Sequence, residues 1–298
     1  MSFITNALGI SAGLGSVTLG YALVEAQSFT TRHVEARVLP QAEKSLRVLH
    51  LSDLHITPAQ TRKINWVKSL ASLEPDLVVV TGDFMAHKLA VPAIAEALEP
   101  LLDFPGLFVM GSNDYYGPQL KNPLNYLDRN RKPSISGIVL PTQDLVDLLT
   151  DAGWIDLNNR QESFEIADVR IHARGTNDAH INLDNYSRVA GAYEQGTFAL
   201  GVTHAPYLRV LNNFADDKTD LLLAGHTHGG QICIPFYGAL VTNCDLPANQ
   251  AKGLSTFTGA HYSLPLHVSA GIGTSPFTPV RIACRPEATL LTLTSKSS

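Results

Sequence analysis

Five short clusters hold side chains of the kinds that bind metal ions: Asp53-Leu54-His55, Gly82-Asp83, Ser112-Asn113-Asp114, His204 and Gly225-His226-Thr227-His228. A carboxylate has two oxygens and can bridge two cations. Asp83 is the candidate bridge, because Gly82 before it lets the backbone bend beside an ion. Asp53 and His55 can reach one ion together if the segment that carries them is kinked. His226 and His228 share one turn, so each can serve a different ion, and His204 can add a further nitrogen. Two or three carboxylate or amide oxygens with up to four imidazoles form the donor set of a two-metal site; such a mixture suits Mn²⁺, Fe or Zn²⁺ better than Mg²⁺ or Ca²⁺. Taken singly, each residue has a plainer role, since an Asp after a strand usually caps a helix or a turn. Their joint order along the chain is what argues for a metal centre.

Each cluster follows a short apolar run: Leu46–Leu51, Leu77–Val80, Leu107–Met110, Phe198–Thr203 and Leu221–Ala224. Runs this short read as buried strands of an α/β sheet. In open α/β folds, ligand sites gather at the carboxyl ends of strands, so a single sheet edge could collect all five clusters.

The rest of the chain supplies the frame. Thr30–Leu39 predicts an edge strand ended by Pro40. Helical spacing predicts helices over Thr61–Leu73, Val91–Leu102 (with Pro92 in its first turn), Thr142–Ala152 and Pro206–Phe214. Strands are expected over Ser163–Ala173, Gly230–Ile234, Leu266–Ala270, Val280–Ala283 and Ala288–Thr294. The reading is one domain over residues 45–298 with two stacked sheets. An insertion at about 117–141 carries Pro118, Pro123, Pro133 and Pro141 with Arg129, Arg131 and Lys132.

The 298 residues are 45% hydrophobic and 16% charged, ordinary for a globular chain with a sizeable core. A net charge of -5 and the lack of any Lys/Arg-rich stretch give no reason to expect nucleic acid. Cys233, Cys244 and Cys284 have no CxxC spacing, so they read as buried thiols rather than a zinc or disulfide framework. Residues 1–25 stand apart, because no charge occurs from Met1 to Val24. That length could span a bilayer, while Gly9, Gly13, Gly15 and Gly20 dilute it and no basic start marks a secretory signal. A membrane anchor is the expectation, with a packed helix as the alternative, and the localisation is membrane-associated or cytoplasmic.

The order D-x-H, G-D, a third Gly-led block, His and G-H-x-H, over Ser52–Gly230, resembles the calcineurin-like metallophosphoesterases. Gly225-His226-Thr227-His228-Gly229-Gly230-Gln231-Ile232, Pro235, Gly271-Ile272-Gly273-Thr274-Ser275, Pro279-Val280-Arg281 and Arg285-Pro286-Glu287 are similar to a YkuE/YaeI-type subgroup acting at or near membranes. The resemblance implies a four-layer α/β/β/α sandwich of two mixed sheets and two divalent metals. Asp53, His55, Asp83 and His228 would hold the first metal, and Asp83, His204, His226 and one residue of the third block the second. A hydroxide bridging the metals would attack phosphorus in line. The implied enzyme is a phosphodiesterase or pyrophosphatase acting on a phosphoester small molecule, or on a membrane-associated or nucleotide-linked lipid. The alternative is a metal-binding scaffold with reduced catalysis.

The third block departs from the family's Gly-Asn-His-[Asp/Glu]. Here it is Gly111-Ser112-Asn113-Asp114-Tyr115-Tyr116. Without a gap, Ser112 stands in the ligand's place and Asn113 in the histidine's; slid by one, Asn113 is the ligand and Asp114 replaces the histidine. An amide oxygen is the better ligand, which favours Asn113. Either register removes the histidine that would protonate the leaving group, a contribution of about 10²–10⁴-fold. Asp114, Asn113, Tyr115, His87 and His180 are the candidate replacements, and Tyr115 and Asp178 (in Gly175-Thr176-Asn177-Asp178) the candidates for substrate contact. Gly271–Ser275 could offer N–H groups to an anion, and Arg281 and Arg285 could meet phosphate or simply pair on the surface.

Overall fold

Side chains on strand Leu77–Thr81 alternate between two cores. Val78 and Val80 pack on helices, while Leu77 and Val79 pack on a second sheet. The same division recurs on the far side, where Leu221 and Leu223 enter the shared core and Leu222 and Ala224 face another helix. Strands buried on both faces and led by Val, Leu and Ile are what a sheet between two layers requires. The computed structural model describes residues 15–40, 44–119 and 137–296.

The elements in chain order are a helix over residues 15–25 (α1), β1 (Thr30–Leu39), β2 (Leu46–Leu51), α2 (Thr61–Ser69), β3 (Leu77–Thr81), α3 (Val91–Leu98), β4 (Gly106–Val109), α4 (Ser112–Tyr115) and α5 (Thr142–Asp151). There follow β5 (Ile155–Asp156), β6 (Gln161–Ile166), β7 (Val169–Gly175), β8 (Phe198–Val202), α6 (Leu208–Asp216), β9 (Leu221–Ala224), β10 (Cys233–Ile234), β11 (Gly238–Ala239), β12 (Gly253–Thr258), β13 (Ser263–Val268) and β14 (Glu287–Ser295). One sheet has the order β1-β14-β2-β3-β4-β5 and the other β12-β13-β9-β8-β7-β6. Both are mixed: β2, β3, β4 and β5 run parallel with β14 antiparallel beside β2, and β13, β9, β8 and β7 run parallel between antiparallel β12 and β6. Helices α2, α3 and α5 cover the first sheet and α6 the second, which makes a four-layer α/β/β/α sandwich.

Four local expectations change. Ser163–Ala173 is not one strand but the β6–β7 hairpin. It turns at Ala167 and Asp168, both in the left-handed region at φ 50° and 65°, a conformation the sequence does not advertise because neither is Gly or Asn. Val280–Ala283 is not a strand; among the described residues it makes one bridge, Ile232 to Ile282, while the Val280 carbonyl accepts from the Gln231 side chain. Gly230–Ile234 opens with a 3₁₀ turn over His228–Gly230, and only Cys233–Ile234 pairs as a strand. Edge strand β12 is unforeseen, because its Ser and Thr residues face solvent and dilute the apolar signal.

Among the described residues no helix is long and apolar enough to cross a membrane. The anchor expectation falls mainly on residues 1–14, and the body of the insertion on 120–136; both lie outside the described residues. Cys233 and Cys284 are buried, Cys244 is half-buried, and all three are free thiols.

Candidate metal centre

The parallel strands of the two sheets end at one place. Asp53 and His55 follow β2, Asp83 follows β3, Gly111 follows β4, His204 follows β8, and His226 and His228 follow β9. Backbone bonds tie these ends together: the Asp53 and His55 N–H groups donate to Gly82 and Asp83 carbonyls, and Gly225 N–H donates to the His204 carbonyl, each at 2.9 Å. The loop after β13 closes the ring, where Ile272 N–H donates to Ser52 O at 3.0 Å.

The backbone bends sharply at this edge. Asp53, His55, Asp83, His226 and His228 all have left-handed φ, between 44° and 69°. Such conformations are costly for residues other than glycine and persist where the surroundings over-determine them, as they do at functional sites. At Gly111 a side chain would collide with the Asp83 carboxylate and the His204 ring, so the close approach of β4 requires glycine.

Asp83 stands between two imidazoles. Its Oδ2 is 3.5 Å from His55 Nε2, and its Oδ1 is 3.6 Å from His204 Nε2. His228 Nε2 lies 3.5 Å from Asp53 Oδ1 and 3.3 Å from His55 Nε2, and His226 Nδ1 lies 3.3 Å from His204 Nε2. The far sides of the donors are held. The Ser52 hydroxyl and the His226 N–H donate to Asp53 Oδ2 at 2.6 and 3.0 Å. His204 Nδ1 meets the Thr81 carbonyl at 2.6 Å and His226 Nε2 the Asn243 carbonyl at 3.2 Å, which leaves the opposite ring nitrogens facing the cluster.

These groups fit metal ions better than they fit one another. Asp53 Oδ1 is a buried carboxylate oxygen with no hydrogen-bond partner. Burial, reinforced by neighbouring imidazoles, pulls His55 and His226 well below the usual histidine range; burial also lowers His228. His55 and His228, both lowered, point ring nitrogens at each other across 3.3 Å, an arrangement that suits two imidazole ligands of one cation. Burial lowers His204 too, but the carboxylates of Asp83, Asp178 and Asp53 outweigh it and hold it up, at about 9. Burial and the adjacent Asp53 raise Asp83 in turn, an effect a bound cation would reverse. Asp53, His55 and His228 form one compact donor group, and Asp53, Asp83 and His204 another.

The third block divides its labour. Asn113 reaches the cluster: its N–H donates to Asp83 Oδ1 at 2.8 Å and its side-chain amide to Oδ2 at 2.7 Å. Asp114 does not. Its carboxylate accepts N–H bonds from Asp83, Phe84, Met85 and Gly111 at 2.7–3.1 Å and is fully buried. A carboxylate engaged by four backbone donors anchors the Asp83 loop, and burial with the adjacent Asp83 pushes it up to about 7. Tyr115 is likewise committed, exchanging hydrogen bonds with Asn177 at 2.7 and 2.9 Å. His87 is on an exposed loop, where its ring accepts the Leu89 N–H. Asp178 is buried close enough for its charge to act on His204, and burial pushes it up to about 7.

His180 is placed differently. It lines the cleft over the cluster, meets His226 at a tilt of 47° with ring centroids 4.6 Å apart, and bonds the Tyr207 hydroxyl at 2.9 Å. The cleft holds about 390 Å³ and is lined by apolar Ile181, Ile232, Leu240, Val241 and Val280 as well as polar Ser112, Asn113 and Asn243.

Two buried basic side chains support the site, of which only Lys63 was unmarked in the sequence. Lys63 on α2 donates to the carbonyls of Leu54 and His55 at 2.7 and 3.1 Å. Arg281 is not a surface residue: it is fully buried, and its guanidinium binds the carbonyls of Ala270, Gly271 and Gly273 at 2.8–3.1 Å and that of His228 at 3.4 Å. Both hold ligand-bearing loops by their carbonyls. Arg285 clamps Ser28 O and Phe29 O and does not enter the cleft.

Known proteins resemble this chain in sequence. The Calcineurin-like phosphoesterase family model matches residues 46–230. The chain is 30% identical to the "Uncharacterized metallophosphoesterase YkoQ" of Bacillus subtilis (strain 168), over 83% of each chain. It is 26% identical to "Phosphodiesterase YaeI" of Escherichia coli (strain K12), over 83% of this chain and 82% of that one. It is also 26% identical to the "Transmembrane protein with metallophosphoesterase domain" of Bos taurus, over 89% of this chain and 56% of that protein. With carboxylates and imidazoles converging at the ends of both sheets, the chain belongs to the calcineurin-like phosphoesterase family, in its YkuE/YaeI-type subgroup, as a metal-dependent phosphoric ester hydrolase.

Proposed function

We propose that the centre takes two divalent cations and hydrolyses a phosphodiester or pyrophosphate of a lipid or nucleotide-linked lipid. The observation that carries this reading is Asp83, whose two oxygens each face a different imidazole, His55 on one side and His204 on the other. Asp53, His55, Asp83 and His228 would hold one ion, and Asp83, His204, His226 and the Asn113 amide the other. Bound there, the cations supply charge neutralisation for the phosphate oxygens and an activated water for in-line attack.

The chain's own residues do the rest. Asp114 fixes the Asp83 loop, Arg281 and Lys63 fix the loops of His228 and His55, and Asn113 faces the substrate side. His180 is the imidazole on the cleft wall outside the proposed ligand set, and we assign it the leaving-group side. The apolar lining residues, Ile181, Ile232, Leu240, Val241 and Val280, suit an acyl or isoprenoid chain next to the scissile phosphate. The Bos taurus relative's name, with its transmembrane part, is in keeping with a substrate at a membrane.

Metal-loaded protein should hydrolyse bis(p-nitrophenyl) phosphate faster than p-nitrophenyl phosphate. Faster monoester turnover would contradict the diester assignment. Stoichiometric metal binding without turnover on either would favour a metal-binding scaffold.

A further inference from the structure

The β10–β11 hairpin stands beside the mouth of the cleft. Its base is fixed by a small buried cluster that includes Cys233, Ala239, Ala270 and Cys284. Its tip is not covered: Phe236 is 111% exposed relative to a free residue and Tyr237 75%. Ile234 on the hairpin and Phe277 on the neighbouring loop are exposed as well. The Gln231 side chain ties the two together by donating to Thr278 O and Val280 O at 2.9 and 3.0 Å. An exposed apolar face of this kind marks an interaction site.

Three features say what meets it. First, residues 229–244 and 271–280 contain no Asp, Glu, Lys or Arg, so the face offers no charge to a charged partner. Second, a strip joins the hairpin to α1: Arg281 N–H donates to Ala22 O at 3.0 Å, Ile282 N–H to Gln231 O at 3.1 Å, and Cys233 N–H to Ile282 O at 2.8 Å. Helix α1 exposes Val17, Leu19, Tyr21, Leu23 and Val24, and the 14 residues before it carry no charge either. Third, Ile232 and Leu240, on the two arms of the hairpin, are both exposed and both line the cleft. Aromatic and aliphatic side chains on an uncharged projection are what the interfacial zone of a bilayer accepts.

We infer that the β10–β11 hairpin docks into the interface of a lipid bilayer, with Phe236 and Tyr237 as its inserted tip, so that the cleft opens on the membrane surface. The inference rests on the proposed lipid-linked substrate for its purpose and on the hairpin for its evidence.

The test is flotation of the full chain with phosphatidylcholine vesicles, at low and at high salt. The wild-type chain should float, with little effect of salt. Phe236→Ser/Tyr237→Ser should lower partitioning at least about tenfold, since each ring loses its apolar burial. Ile234→Ser should lower it less. Unchanged melting and unchanged turnover of bis(p-nitrophenyl) phosphate would show that the double variant is folded. Flotation equal to wild type in the double variant would overturn the inference and move binding to the N-terminal segment. A wild-type chain that stays out of the vesicles would overturn it also; if the chain is then a dimer that the double variant dissolves, the face is a contact between copies. Flotation is read without substrate. A chain that floats but hydrolyses no phosphoester would therefore sink the proposed function alone, and an active chain that does not float would sink the docking face alone.

Discussion

The Asp114 carboxylate accepts the backbone N–H of Asp83 at 2.8 Å, and it is this bond, with three more to Phe84, Met85 and Gly111, that fixes the central carboxylate of the cluster. Asp114→Asn swaps one acceptor oxygen for a donor amide that faces N–H groups. Leaving buried donors unpaired costs about 1–3 kcal/mol each. The variant should lose several degrees of melting temperature and hold metal more weakly. A proton donor would behave otherwise: metal content would stay intact while the basic limb of the pH–rate profile moved.

Arg281 carries the second structural prediction. It is buried with five carbonyl acceptors, those of Ala270, Gly271, Gly273, His228 and Cys284. Arg281→Met strands those acceptors and should cost about 3–5 kcal/mol, as removal of one member of a buried polar network does. Lysine cannot reproduce the planar fork, so Arg281→Lys should recover only part of the stability. Denaturant midpoints of the two variants check this; full recovery by lysine would show that charge alone matters.

Much of this arrangement was legible in the sequence. The β2, β3, β4, β8 and β9 strands are buried on both faces, so their apolar runs announce them, and the clusters that follow mark where the chain turns. The supporting roles of Lys63 and Arg281 were not legible. Lys63 sits on a helix whose sequence gives no sign that its amine turns inward to Leu54 O and His55 O, and Arg281 takes its role from loops eight to eleven residues away and from His228. At Asp114, residue type says nothing about which backbone donors surround the carboxylate. The β6–β7 turn was missed for a related reason, since Ala167-Asp168 adopts a conformation usually signalled by Gly or Asn.

His180 should matter in proportion to the leaving group. His180→Ala should slow diesters with alkoxide leaving groups by about 10²-fold or more, within the usual range for lost general acid catalysis. It should leave bis(p-nitrophenyl) phosphate nearly unaffected, since p-nitrophenolate needs little protonation. Equal losses on both classes would assign His180 a merely structural role against His226.

A buried histidine pair predicts acid sensitivity apart from the metal. His50 Nδ1 and His267 Nδ1 meet at 2.9 Å, both fully buried. Burial lowers His267 to about 4, and burial with the His267 neighbour lowers His50 well below the ordinary value. Since the folded values lie below the unfolded one of about 6.5, the unfolded chain binds more protons as pH falls from there. Stability of the metal-free protein should therefore fall between about pH 6.5 and 4, by up to ~1.4 kcal/mol per pH unit for each imidazole. His267→Gln should flatten that slope. A slope unchanged in the variant would place the sensitivity elsewhere.

The most direct test of the central claim is metal content and diester hydrolysis measured side by side for the wild-type chain and Asp83→Asn, after stripping and re-supply with Mn²⁺, Fe²⁺ or Zn²⁺. Two ions per chain and metal-dependent turnover in the wild type, with at least one ion and essentially all turnover lost in Asp83→Asn, is the predicted result. Full metal loading and wild-type turnover in the variant would contradict the assignment of Asp83 as the bridge between two metals.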